Sequence, residues 1–130
     1  MLVIGQSLIL ATALLSLGVS QASAQSTSVR RDYPSCNLAQ QHRVRGQTGG
    51  SIRDIRQAHI SMRANILEAD IGNARKARRL AQPQAQKLWQ RVEQVRRDTD
   101  AAVAKQGFLS AGEVASYDRA LDMVATAICR

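Results

Sequence analysis

The chain has 130 residues and a formal net charge of +8, so it can form one domain with a modest core. One Trp, two Tyr and one Phe are too few for the aromatic platforms on which many nucleic-acid-binding proteins stack bases, and we expect no nucleic-acid partner. Two His and the lack of a Gly-rich phosphate loop argue against an enzyme, and we expect no catalytic residue, cofactor or metal.

The first 24 residues have the pattern of an export signal. An apolar run over residues 8–19 is long enough for the core of a signal peptide and too short to cross a membrane. It is followed by Ala-Ser-Ala, a sequence typical of signal-peptidase sites, which predicts cleavage after Ala24 and a periplasmic or secreted protein. Residues 1–24 contain no Lys or Arg, so an uncleaved anchor and a true start codon further upstream stay open as alternatives.

Residues 25–50 predict an irregular N-terminal arm, because they are polar and interrupted by Gly and Pro. This arm contains Cys36, and the second cysteine of the chain, Cys129, stands next to the C-terminus. In an oxidising compartment the simplest expectation is a disulfide between them, which would close nearly the whole mature chain into one loop. Two free thiols, or a bond to a partner protein, are the alternatives.

A first helix is predicted from Ser51 to about Arg79. Ser51 is the expected N-cap, and Asp54 follows three residues later as a variant of the capping box. The predicted core stripe consists of Ile52, Ile55, Met62, Ile66 and Ala69, and it is widened by Ile60, Leu67 and Ile71. The helix is strongly basic, and its candidate anion-binding residues are Arg53, Arg56, Arg63, Arg75, Lys76, Arg78 and Arg79.

Two more amphipathic helices are predicted after the first one. Pro83 suits the first turn of the second helix, and Gly107 suits its C-cap. Ser110 and Glu113 form a capping box that opens the third helix. Since short turns place neighbouring helices antiparallel, the expected fold class is all-α: three amphipathic helices in an antiparallel bundle over residues 51–130, preceded by the signal peptide and the irregular arm.

The sequence around Gly107 also matches the closing half of a calcium-binding EF-hand loop. The opening half fails, because Ala102 and Ala104 stand where that loop needs the oxygen ligands of Asp or Asn. We therefore interpret Glu113 as a helix cap and not as a metal ligand.

Other polar residues also receive a structural interpretation from the sequence. His42 and His59 lack the spacing of a zinc site, and His59, among apolar residues, is interpreted as a core or boundary residue. Asp118 and Asp122 lie one helical turn apart and are interpreted as surface charges.

A repeat of 29 residues relates the second and third helices. Its two copies begin with LAQPQ at residues 80–84 and LSAGE at residues 109–113, which resemble the L-T-x-x-Q motif of the small periplasmic stress proteins of the Spy and CpxP type. The resemblance extends over residues 51–129. It implies an ATP-independent chaperone or envelope-stress role, and a cradle-like dimer of helices with a basic concave face.

Two main functions are expected from these features. The first is an exported, non-enzymatic protein of the cell envelope that binds protein clients in a chaperone-like or stress-related role. The alternative is an electrostatic binder of anionic lipid or lipopolysaccharide that uses the basic first helix. A small enzyme or toxin-like effector is a third hypothesis, for which the sequence offers no site.

Overall fold

The computed structural model describes residues 33–130, which are mostly helical. The predicted signal peptide, its cleavage after Ala24 and the beginning of the arm lie outside the described residues. Among the described helices, none combines the length and the hydropathy that crossing a bilayer requires.

Three long helices follow one short helix. A 3-10 turn, Pro34–Cys36, leads into α1 (Leu38–Gln41), α2 (Ile55–Lys76), α3 (Gln82–Gln106) and α4 (Ala111–Ile128). The side chain of Gln57 bonds Asp100, and the Trp89 indole bonds the Glu68 carbonyl, so α2 and α3 run in opposite directions. The three long helices pack on one another, and the all-α prediction is confirmed for residues 33–130.

One apolar stripe from each long helix fills the core. The largest buried apolar side chains of these stripes are Ile60, Leu67 and Ile71 of α2, Leu88, Val92 and Val95 of α3, and Leu121, Val124 and Ile128 of α4. The stripe predicted for the first helix is right only for the residues expected to widen it, Ile60, Leu67 and Ile71, which are buried. It is wrong at Ile55, which is 61% exposed, and at Ala69, which is exposed as well. This helix has apolar residues around most of its circumference, and contacts with α3 and α4 decide which of them are buried.

The start of α2 differs from the sequence prediction. The N-cap is Asp54 and not Ser51, and its carboxylate accepts a hydrogen bond from the backbone N–H of Gln57 at 3.0 Å. The same carboxylate accepts the N–H of Leu109 at 3.2 Å, so the cap also joins α2 to the turn before α4. Ile52 lies before the helix and pairs with Gly49 in an isolated antiparallel bridge.

The other helix ends agree more closely with the sequence. Pro83 lies in the first turn of α3, and Gly107 ends that helix in the left-handed conformation with φ 86°. The Ser110 hydroxyl accepts the N–H of Glu113, whose carboxylate accepts the N–H of Ser110, which confirms the predicted capping box. The exception is the end of α2, which stops at Lys76 and not near Arg79, because Arg78 has a φ of 59°.

The described part of the arm is docked onto the bundle. Tyr33 and Ser35 are buried, and the backbone N–H of Ser35 donates to the buried carboxylate of Asp70 at 2.9 Å. The disulfide between Cys36 and Cys129 is present, with 5.7 Å between the two Cα atoms, so this prediction is confirmed. The 3-10 turn and α1 give the arm local structure, where the sequence predicted none.

Candidate functional site

A buried arginine links α2 to α4. The side chain of Arg63 is fully buried, and its Nη1 donates to Oδ1 of Asp118 at 2.5 Å. Its Nη2 donates to Oδ1 of Asp122 at 2.7 Å. The two carboxylates lie one turn apart on α4, so a single guanidinium reaches both of them. A buried charge is tolerated when it is paired and hydrogen-bonded in this way.

His59 lies one turn before Arg63 on α2 and extends the network. Its Nε2 is 3.0 Å from the Asp118 carboxylate, and its Nδ1 is 2.6 Å from the carbonyl oxygen of Val44. Both partners are acceptors, so the doubly protonated ring satisfies both contacts, whereas a neutral ring can donate to only one. The hydrogen bond with Asp118 outweighs burial and raises the pKa of His59.

The two carboxylates of the network have different surroundings. The charged form of Asp118 is stabilised, and Asp122 contacts a second histidine, His42. Burial acts to raise the pKa of Asp118, but hydrogen bonds from His59 and Arg63 outweigh it and lower that pKa. Nε2 of His42 is 2.8 Å from Oδ2 of Asp122 and joins the segment after α1 to α4. The sequence interpretation of the two Asp residues as surface charges is therefore wrong, since both are partly buried and ion-paired.

A cleft of about 520 Å³ lies beside this network, between the segment after α1 and parts of α2 and α4. Its lining joins three cationic side chains to three apolar ones, which are Arg43, Arg45, Arg56, Val44, Ile55 and Val114. His59 and Asp118 of the network also line it. We call this feature the cationic cleft.

The seven candidate anion-binding residues of the first helix do not form one surface. Arg53 and Arg56 lie at the start of α2, and Arg63 is buried between α2 and α4, where it cannot meet an external ligand. At 1.5 Å per residue, Arg56 and Arg75 are separated by about 28 Å along the helix. The last turn of α2 and the turn after it contain the other four candidates, Arg75, Lys76, Arg78 and Arg79.

The chain from the end of α2 into the first half of α3 has an unusual charge composition. Residues 71–92 contain six Lys and Arg and no Asp or Glu. The six are Arg75, Lys76, Arg78, Arg79, Lys87 and Arg91, all of them exposed, and none forms an ion pair within residues 33–130. The guanidinium of Arg79 lies 5.5 Å from the centre of the Tyr33 ring, a cation–π distance. We call these six residues the cationic end.

Each member of the network is a recognisable polar residue in the sequence, but the contacts between them cross up to 80 residues. The spacing of four between His59 and Arg63, and again between Asp118 and Asp122, places each pair on one helix face. Complementary charges on two such faces are a signal that could have indicated their contact.

Within residues 33–130, no group of three or more His, Cys, Asp and Glu side chains is arranged to hold a metal ion. Comparisons of the chain with protein-family models, with curated proteins and with solved structures give no match.

Proposed function

We propose that this protein is an exported, non-enzymatic protein of the cell envelope whose cationic end binds phosphate-bearing anionic surfaces. The observation that carries the proposal is the run of six exposed cations without a single acid over residues 71–92. The disulfide is compatible with an oxidising compartment outside the cytoplasm. Lipid headgroups and lipopolysaccharide both present phosphate groups in such a place.

The proposed contact is electrostatic and needs no insertion into the membrane. The exposed large apolar side chains of the described chain are Leu38, Ile55, Phe108 and Met123, and none of them belongs to residues 71–92. A Lys or Arg close to an anionic leaflet contributes about 1 kcal/mol, so the four cations at the end of α2 and in the following turn support measurable binding even without Lys87 and Arg91. Binding of this kind weakens steeply with salt, since the Debye length falls from about 30 Å at 0.01 M to about 3 Å at 1 M.

The chaperone-like function remains a prediction and is the weaker of the two. It requires exposed apolar surface for unfolded clients, whereas the core stripes of α2, α3 and α4 pack against one another. Delay of client aggregation by the purified protein is the measurement that would favour it.

Cosedimentation with lipid vesicles tests the proposal. We expect binding to vesicles that contain phosphatidylglycerol or lipopolysaccharide, no binding to pure phosphatidylcholine, and loss of binding at high salt. Replacement of the four cations at the end of α2 and in the following turn by Gln should weaken binding at least about a hundredfold. These substitutions are Arg75→Gln, Lys76→Gln, Arg78→Gln and Arg79→Gln.

A control variant removes the same number of charges elsewhere. It carries Arg53→Gln, Lys105→Gln, Arg119→Gln and Arg130→Gln, all at exposed positions outside the cationic end. It should keep most of the binding. Equal binding to neutral and anionic vesicles would overturn the proposal, because the contact would then not be electrostatic. Equal losses in the two variants would also overturn it, because net charge alone would then explain the binding.

A further inference from the structure

We propose that the cationic cleft is a binding site for a small amphiphilic organic anion, in which one acidic group is attached to an apolar body. The cleft lies beside the start of α2, whereas the cationic end begins in the last turn of this helix and continues into α3. This second site therefore does not depend on the surface-binding function proposed above.

Cationic side chains of the cleft are available to a ligand. Arg43, Arg45 and Arg56 line it, and none of the three has an acidic partner within residues 33–130. Nη1 of Arg56 donates to the carbonyl oxygen of Leu109 at 2.9 Å, which holds this side chain in place and leaves its other N–H groups free to donate. Arginine is well suited to bidentate contacts with carboxylate or phosphate.

The one acidic residue that lines the cleft does not cancel this charge. Asp118 is already paired with Arg63, whose guanidinium is buried behind it, and with His59. An incoming anion therefore meets the arginine side chains and a carboxylate whose charge is compensated. The three arginines without acidic partners therefore leave the lining of the cleft with a net positive charge.

The apolar lining sets the second half of the ligand chemistry. Ile55 is the first residue of α2 and is 61% exposed, and Val44 and Val114 line the cleft with it. Apolar contact with a ligand would remove this surface from water, which a hydrated inorganic ion cannot do. The volume of about 520 Å³ lies within the range of small-molecule sites, about 300–1,000 Å³.

The segment that carries two of the arginines is held in place before any ligand binds. His59 bonds the carbonyl oxygen of Val44, and His42 bonds Asp122. Gly46 packs so tightly on α2 that an added Cβ atom would lie 1.9 Å from the carbonyl oxygen of Ala58. A site fixed in this way loses little conformational entropy when it binds.

Three probes test this proposal in an NMR titration of the purified protein. They are 4-phenylbutyrate, the uncharged 4-phenylbutanol with the same apolar body, and inorganic phosphate without one. We expect 4-phenylbutyrate to bind one-to-one and to shift the amide signals of residues 42–46. Each of the other probes lacks one half of the ligand and should bind at least about tenfold more weakly.

Single substitutions locate the binding. Arg45→Gln and Ile55→Ser should each weaken 4-phenylbutyrate binding about tenfold, because each removes one of the three cationic or one of the three apolar side chains of the cleft. Both positions are exposed in the fold, so the substitutions leave the core intact. Arg78→Gln at the cationic end is the control and should leave it unchanged. Equal affinity for the acid and the alcohol, or unchanged affinity in both cleft variants, would overturn the proposal.

Discussion

Arg63 and Asp118 are 55 residues apart in the sequence, and their side chains meet in an ion pair of 2.5 Å whose guanidinium side is 1% exposed. The same guanidinium binds Asp122, so one cation from α2 holds two acids of α4. His42, in the segment after α1, pairs with Asp122. His59 of α2 pairs with Asp118 and also bonds the carbonyl oxygen of Val44 in that segment. This network therefore ties three parts of the chain together at one place.

Removal of the Arg63 charge should lower the stability of the fold strongly. Arg63→Met keeps much of the side-chain volume but leaves two partly buried carboxylates without their main partner. Breaking a buried ion pair on one side costs about 3–5 kcal/mol, and we expect a decrease of this size in the free energy of unfolding, measured by urea denaturation.

Arg97→Gln is the matched control for this experiment. Arg97 pairs with Glu93 at 3.7 Å on the exposed face of α3, where both side chains are about half exposed. Pairs of this kind contribute about 0.3–0.5 kcal/mol. If the two substitutions destabilise the protein equally, Arg63 has no special role in joining α2 to α4.

Protein stability should fall as the pH rises above neutrality. The pKa of His59 is higher in the folded protein than its ordinary value of 6.5, so its stabilising contribution is complete below that value. The contribution is lost as the pH rises through the folded pKa. The pKa of Asp118 is lowered from 3.8, so its contribution is complete above that value and is lost as the pH falls through the folded pKa. Between pH 3.8 and pH 6.5 both groups therefore contribute their full stabilisation.

Two variants isolate the effect of His59. The chain has two His, so in a His42→Gln background His59 is the only histidine that titrates. Urea denaturation between about pH 5 and pH 9 should show stability that decreases above about pH 6.5 in this protein, and a much flatter profile after the additional change His59→Gln. Identical slopes in the two proteins would contradict the assignment of the pH dependence to this ring.

Local signals in the sequence predicted the helix ends well where both partners lie close in the chain. Ser110 and Glu113 form a capping box over three residues, and Gly107 adopts the conformation that its lack of a side chain favours. The start of α2 is less clear from the sequence, because Ser51 and Asp54 are both suitable N-caps. Asp54 caps Gln57 and also binds Leu109, a contact across 55 residues. Contacts of this range leave no mark in a local pattern.

The candidate site was only partly predictable for the same reason. The cationic character of residues 75–79 is a property of the sequence alone, and the structure leaves these cations exposed. Arg63 has the same charge but is buried, because two acids on another helix compensate it. Likewise, the cationic cleft exists only after the segment that carries Arg43 and Arg45 has docked on α2 and α4.

Reduction of the disulfide should destabilise the fold strongly. Cys36 and Cys129 are separated by 93 positions, and the chain-entropy relation gives roughly 4–5 kcal/mol for a loop of this size. We expect the Cys36→Ser, Cys129→Ser double variant to lose stability up to this value in urea denaturation. A reducing agent should lower the denaturation midpoint of the unaltered protein and leave that of the double variant unchanged. Equal stability of the oxidised protein and the double variant would show that loop closure contributes nothing.

Gly46 should be the least replaceable glycine of the described chain. A Cβ atom there would lie 1.9 Å from the backbone oxygen of Ala58, so Gly46→Ala must push the segment after α1 away from α2. This movement would weaken the hydrogen bond between His59 and the Val44 carbonyl and open the cationic cleft. We expect a lower thermal midpoint and weaker binding of 4-phenylbutyrate.

Gly112→Ala is the control, since a Cβ atom there meets nothing within 4 Å and Ala stabilises a helix relative to Gly by about 0.5–1 kcal/mol. If Gly46→Ala is as stable as this control, the close packing of the segment on α2 is not needed for the fold.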